Sequence, residues 1–384
     1  MTALQARQVP ARQVAPEPFA TDAVDHAIAL AWCGPAEHGV TRLARQIADA
    51  AQEVGFGGTV LHEPDPGSVG ALVDRLPSAV RLLHLHVNDW LFADQQAGAD
   101  QRIAALAHRL NRRGMILTVT LHDLPQVSDG AVLFRRRAST YRAIVRQTGG
   151  IVVSSRHERA LLLDALADGP GMDQQRAAPV AEDTDVDVIP LPIDGAEPAA
   201  HPRIRTDTVP TVGIFGYLYP GKGHREVLDE LAGMRPAVTV LAIGRPSERH
   251  AELLPELRSV AELGGIGFRC TGYVSEAEVV QELRNVLVPL APHTHVSASG
   301  SINSWIAAGR RALVPAGRYV GELADRLPGS VCVYQPGELR QAVDRAIAHP
   351  ESTWLPPGFR AGPTTVEVAS RYLALLRRRA FTRP

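Results

Sequence analysis

The chain has 384 residues, 45% hydrophobic and 21% charged, and its 40 Lys and Arg nearly balance its 41 Asp and Glu. That is apolar material enough for two cores, and the near-neutral charge excludes a protein whose main partner is bulk nucleic acid. No run of ~18 apolar residues offers a membrane span, and three scattered cysteines (Cys33, Cys270, Cys332) suggest neither a disulfide framework nor a cysteine zinc site.

Residues 1–25 are polar and proline-bearing, lack the apolar core of a secretion signal, and are expected to be disordered in a cytoplasmic protein. Residues 26–33 (HAIALAWC) read as a buried strand, followed by Gly34-Pro35 and a helix over about 40–54. Val40, Leu43, Ala44, Ile47 and Val54 share one face of that helix. Further strands are expected at 81–87, 115–121, 151–154 and 186–191, with helices at 100–113, 131–146 and 157–167. Such alternation makes a parallel sheet covered on both faces.

A second series begins at Thr211, with strands at 211–215, 238–243, 267–271, 285–290, 312–314 and 331–334. Its helices are expected at 225–232, 251–261, 276–283 and 301–308, and the Pro/Asp-rich stretch 194–210 reads as the linker. A last helix over about 365–380 packs back on the first domain or stays with the second; pattern alone does not place it. The fold class is therefore α/β, with two doubly wound Rossmann-like domains, 26–205 and 206–384, facing a cleft. Ligands of such sheets bind at the C-terminal ends of the strands.

Among the 40 basic residues Lys222 is the only lysine. A position that keeps Lys where every other cation is Arg points to a need for a compact three-donor ammonium. It lies in Gly216-Tyr217-Leu218-Tyr219-Pro220-Gly221-Lys222-Gly223, between a strand and a helix. The loop misses the P-loop pattern by one residue, because Gly223 replaces the Ser or Thr that holds Mg²⁺. Glycine backbone, a helix N-terminus and a full positive charge still suit an anion.

Residues 293–304 precede and open another helix, and Ser299, Gly300 and Ser301 place small side chains and free N–H groups at its start. This is an anion site or an ordinary serine cap. His122-Asp123 closes the strand 115–121, where a histidine can act as hydrogen-bond donor or acid–base group. His84 and His86 point to one side of their strand without a third metal ligand. His86, nearer the strand end with Asn88 and Asp89, is a candidate acceptor contact, as is Asp89. Asp183-Thr184-Asp185 has the Asp-x-Asp form of metal-dependent transferases but reads as a solvated acidic loop, so no metal or cofactor is expected. Arg112, Arg113, Arg135, Arg136 and Arg137 form either a surface for anionic lipid or a solvated helix face.

From residue 26 onwards the sequence resembles the GT-B glycosyltransferases, within them family 4, the group 1 retaining enzymes. The likeness rests on Gly216…Lys222-Gly223, Ile243-Gly244, Thr271-Gly272-Tyr273-Val274 and Ala307-Ala308-Gly309 in the second half. In the first half it rests on Gly39-Val40, Leu121-His122-Asp123-Leu124, Val153-Ser154-Ser155 and Val188-Ile189-Pro190. The resemblance implies that Lys222 grips the diphosphate of a nucleotide-sugar donor, with Gly216, Gly223, Ser299, Gly300 and Ser301 around it. It further implies that Gly39 belongs to a loop held against donor phosphate and acceptor, that Tyr273 lies by the base, and that His122 approaches the scissile bond. The family Arg after the first Gly is Tyr217 here, for which Arg245 is a candidate substitute; two family glutamates eight residues apart are here Val296 and Ser304. The implied activity is transfer of a sugar from a nucleotide diphosphate to an unknown acceptor. A catalytically silent binding relative and a sugar-nucleotide epimerase are the alternatives.

Overall fold

In this computed structural model the described residues are 24–167, 185–195, 209–247, 250–293 and 296–381, and they form two six-stranded sheets. The first has the order β2-β1-β3-β4-β5-β6, built from β1 Ile28–Cys33, β2 Thr59–Glu63, β3 Leu82–Val87, β4 Ile116–Leu121, β5 Ile151–Val153 and β6 Val186–Val188. The helices of this half are α1 Gly39–Glu53, α2 Leu72–Arg75, α3 Ala99–Asn111, α4 Ala131–Val145 and α5 Arg156–Leu166. The second has the order β12-β11-β10-β7-β8-β9, from β7 Thr211–Phe215, β8 Thr239–Ile243, β9 Gly267–Cys270, β10 Val288–Leu290, β11 Leu313–Pro315 and β12 Cys332–Tyr334. Its helices are α6 His224–Leu231, α7 Leu253–Leu263, α8 Glu276–Arg284, α9 Gly300–Ala307, α10 Arg318–Arg326 and α11 Leu339–Ala348. Neighbouring strands all run parallel.

The central strands β3 and β10 are buried at every position, as strands covered by helices on both faces must be. That is why β10 stands out in the sequence as an apolar run, and β3 as one interrupted only by His84 and His86. The edge strand β2 is half-buried throughout and carries His62 and Glu63, so its sequence shows no such run and gives no strand signal. Helices α10 and α11 are likewise additions to the sequence reading, each with a buried face (Tyr319, Val320 and Leu323; Leu339, Ala342, Val343 and Ala346).

The terminal helix α12, Thr365–Phe381, lies against the first sheet, where Val368, Ala369, Tyr372, Leu373 and Leu376 share a core with Ile47, Ala48 and Ala51 of α1. Each such large apolar side chain contributes about 1.5–3 kcal/mol on burial. Arg377 clamps the buried Asp25 with two bonds of 2.7 and 2.8 Å, and the Tyr372 hydroxyl pairs with Thr120 at 3.0 Å. Most of the linker stretch, the division near residue 205, and residues 1–23 lie outside the described residues.

Both sheets reverse strand order next to their first strand, between β1 and β3 and between β7 and β10. Chains leaving adjacent strands in opposite directions open a crevice there. The first crevice receives the Gly34–Gly39 loop and residues 88–91; the second receives the Gly216–Gly223 loop and the segment before α9. Direct bonds join the two halves. The Glu322 carboxylate of α10 accepts the backbone N–H groups of Arg156 and His157, both at 2.9 Å, and Ser155 Oγ donates to the Ser297 carbonyl at 3.2 Å.

Candidate functional site

The loop after β7 folds back on itself. Gly216 has φ +115°, and a Cβ there would stand 3.2 Å from Lys222 Nζ. Gly223 has φ +93°, and its Cβ would meet Pro292 at 2.8 Å, so neither position tolerates a side chain. The result buries Lys222 to 5% exposure and aims its ammonium at Ser301 Oγ, 3.0 Å away. Ser301 lies in the first turn of α9, whose cap Ser299 accepts from the Ile302 N–H at 3.2 Å. A chain of hydroxyls and a ring continues from there, with Ser301 Oγ to Ser299 Oγ at 3.1 Å and Ser299 Oγ to His293 Nε2 at 2.9 Å.

No carboxylate shares a hydrogen bond or ion pair with Lys222 among the described residues. Burial alone pulls its pKa down to about 8. Burial and the Lys222 charge hold His224 down at about 3 and His293 well below its ordinary value, so both rings are neutral. Among the described residues neither ring nitrogen of His224 has a hydrogen-bond partner, nor does His293 Nδ1. One ammonium, two neutral imidazoles and a helix N-terminus without an acid make a receptor for an anion. Sequence reasoning missed His224, and its adjacency to Gly223 is the only signal it gives.

Arg245 comes to the mouth of the same loop. Its guanidinium lies 5.8 Å from the ring centre of Tyr217 and 5.6 Å from that of Tyr273, and its carbonyl accepts the Leu218 N–H at 3.0 Å. A positive charge thus stands over Tyr217 itself, and Tyr273 remains largely exposed. Gly300 is exposed at the start of α9. Across the cleft, desolvation of the Tyr219 hydroxyl, with the Asp123 carboxylate adding to it, pushes its pKa up to about 12 although the residue as a whole is 40% exposed. The Lys222 loop and the end of β4 therefore face each other.

On that opposite side, His122 Nε2 is 3.0 Å from His86 Nδ1, with the two rings stacked. Burial, with His38 as a second positive influence, lowers the His122 pKa to about 4, so the ring is neutral near pH 7. His86, buried to 4%, packs between the rings of His122 and Tyr372. His84 is bonded to the Thr118 and Thr120 hydroxyls, both at 3.0 Å. Asp89 is also turned inward: Arg137 binds its two oxygens at 2.8 and 3.1 Å and reaches Asp129 at 2.7 Å. Asp123, with φ +53°, completes the cluster through its carbonyl and carboxylate, a conformation Asp tolerates better than most residues.

Gly39 is the exposed first residue of α1, whose cap is His38. Of the five arginines read as a basic face, Arg137 is buried in this cluster, and Arg113 bonds the Val73 and Leu76 carbonyls. Asp183 and His295 lie outside the described residues, while Asp185 and Asp187 both pair with Arg379 of α12. No helix among the described residues is long and apolar enough to cross a membrane.

No family model matches the sequence, and no curated protein does. Solved structures do resemble it. HepE from Anabaena in complex with UDP-glucose aligns over 92% of this chain and 98% of its own, with 14% identity and a TM-score of 0.62. Sucrose-phosphate synthase from Thermosynechococcus elongatus aligns over 92% and 96%, with 14% identity and a TM-score of 0.63. A glycosyltransferase from Rickettsia africae aligns over 92% and 93%, with 12% identity and a TM-score of 0.55. The likeness is one of architecture: two facing parallel six-stranded α/β sheets, the GT-B fold.

Proposed function

We propose that the chain is a glycosyltransferase that takes a sugar from a nucleotide diphosphate donor, of the family 4 type its motifs resemble. The observation that carries the reading is the buried Lys222 ammonium. It is bonded to a neutral hydroxyl at a helix N-terminus and lies at the strand-order reversal of the second sheet. A diphosphate supplies the negative charge this site lacks.

In this reading Lys222 and the N–H groups of α9 stabilise the departing diphosphate, with no divalent ion required. Gly272 and Tyr273 lie by the base, with Arg245 between the two tyrosines. His122, neutral and held by His86, acts at the reacting carbon as hydrogen-bond partner or base rather than as a charged acid. The HepE complexes with UDP and UDP-glucose make uridine donors the first to try. The retaining outcome and a cytoplasmic location belong to the proposal, and the acceptor is left open.

The test is thermal unfolding with UDP, GDP, ADP and their sugars, since a ligand of the native state raises its apparent stability. One nucleotide series is expected to raise Tm in the parent and not in Lys222→Met. If no series raises it, the reading is wrong. Binding with neither transfer nor donor hydrolysis would instead support a catalytically silent relative.

A further inference from the structure

The start of α5 belongs to the first domain, yet the second domain takes up its free N–H groups. Glu322 of α10 accepts from Arg156 and His157, and Ser155 Oγ donates to the Ser297 carbonyl. Ser297 is two residues before Ser299, so this contact fixes the loop that presents Ser299 and Ser301 to Lys222. Behind the contact lies Glu158, the third residue of α5, 1% exposed. Its carboxylate accepts the Ser154 N–H at 2.6 Å, and the side chains of Ser154 and Ser297 face it.

We propose that Glu158 is the positioning residue that seats the loop from Val296 to Ser301 against the first domain, docked when its carboxyl is protonated and loosened when it is ionised. The docking stands on the contacts just given; only its consequence for donor affinity rests on the proposed function.

The surroundings set the sign. Burial, with Asp123 at the end of β4 adding to it, raises the Glu158 pKa from 4.5 to about 7. Tyr319 on α10 and Tyr372 on α12 feel its charge in turn, and neither brings a positive charge. On its own helix, His157 is held below its ordinary value by burial and by Arg318, while Arg156 leans toward Glu322 at 3.7 Å. The buried carboxyl binds its proton more tightly than a hydrated one does. Docking is therefore complete below about pH 4.5 and lost as the pH rises toward about 7. Lys222 keeps its charge throughout that window.

The experiment is backbone hydrogen exchange of the peptide covering residues 296–302, corrected for the chemical rate, in the ligand-free full chain. Protection in the parent is expected to fall about tenfold between about pH 5.5 and about pH 7.5, and to be independent of pH in Glu158→Gln. A flat parent profile, or the same slope in both proteins, overturns the proposal. Should Glu158→Gln not fold, Ser297→Ala answers the question: losing a hydroxyl that favours the carboxylate must move the parent midpoint to higher pH, and an unmoved midpoint overturns it. UDP-glucose titrated over the same range is expected to bind more weakly as the loop loosens. Absence of binding at every pH would overturn the donor reading and leave the exchange result to decide on Glu158.

Discussion

The ammonium of Lys222 stands 3.0 Å from the hydroxyl of Ser301, a buried full charge held by a neutral group. Its pKa of about 8 comes from lost hydration, with no opposing carboxylate among the described residues. A cation so placed weakens the empty protein, and an arriving anion restores what burial took away. Site and instability are the same feature seen without and with ligand.

Replacing that cation therefore has two opposite effects. A lysine whose pKa is lowered by folding destabilises fully below about pH 8, and the penalty fades as the pH climbs toward 10.5. Lys222→Met is expected to stabilise the ligand-free protein at neutral pH by on the order of 1–3 kcal/mol while abolishing stabilisation by sugar nucleotides. Urea unfolding with and without ligand measures both. A variant weaker than its parent that still binds would contradict the assignment.

The hydrogen bond between His122 and His86 makes a second case. His122→Asn is expected to lower kcat by about 10²-fold or more with donor Kd little changed, because the ring acts at the reacting carbon. With its pKa at about 4, His122 stays neutral down to mildly acidic conditions, so kcat at saturating donor should hold between about pH 7 and about pH 5. Steady-state kinetics over that range decide it. A half-maximal point near the ordinary histidine value would assign the acid–base group elsewhere.

Arg137 tests the first-domain scaffold. Removing one partner of a buried ion pair leaves the other charged and unpaired, a loss of about 3–5 kcal/mol. Arg137→Met should show that loss in chemical unfolding, and adding Asp89→Asn should recover part of it. If the double variant is as unstable as the sum of the singles, Asp89 and Arg137 are not coupled as their 2.8 Å bond requires.

The charge carried by Lys222 also bears on metal. Transfer from the donor is expected to proceed at an unchanged rate in excess EDTA, since the ammonium and the α9 N-terminus neutralise the leaving diphosphate. A rate restored only by added Mg²⁺ or Mn²⁺ would remove this part of the proposal.

Much of the architecture was legible from the chain alone because strands buried on both faces are rich in apolar residues. Strands β1, β3, β4 and β7 announce themselves this way, and the Gly216–Gly223 loop carries its own chemistry in the one lysine and its glycines. The half-buried edge strand β2 gave no such signal. Glu158 did leave a trace, the Ser155-x-x-Glu158 capping spacing, but a capping spacing says nothing of burial. Residue type could not show that Asp89 is consumed by Arg137 or that His86 packs between His122 and Tyr372. Nor could it show that Ser297 belongs to an interface, or that α12 crosses back to the first sheet. Those facts depend on which surfaces meet after residues hundreds of positions apart are brought together, and burial and charge pairing exist only once they have met.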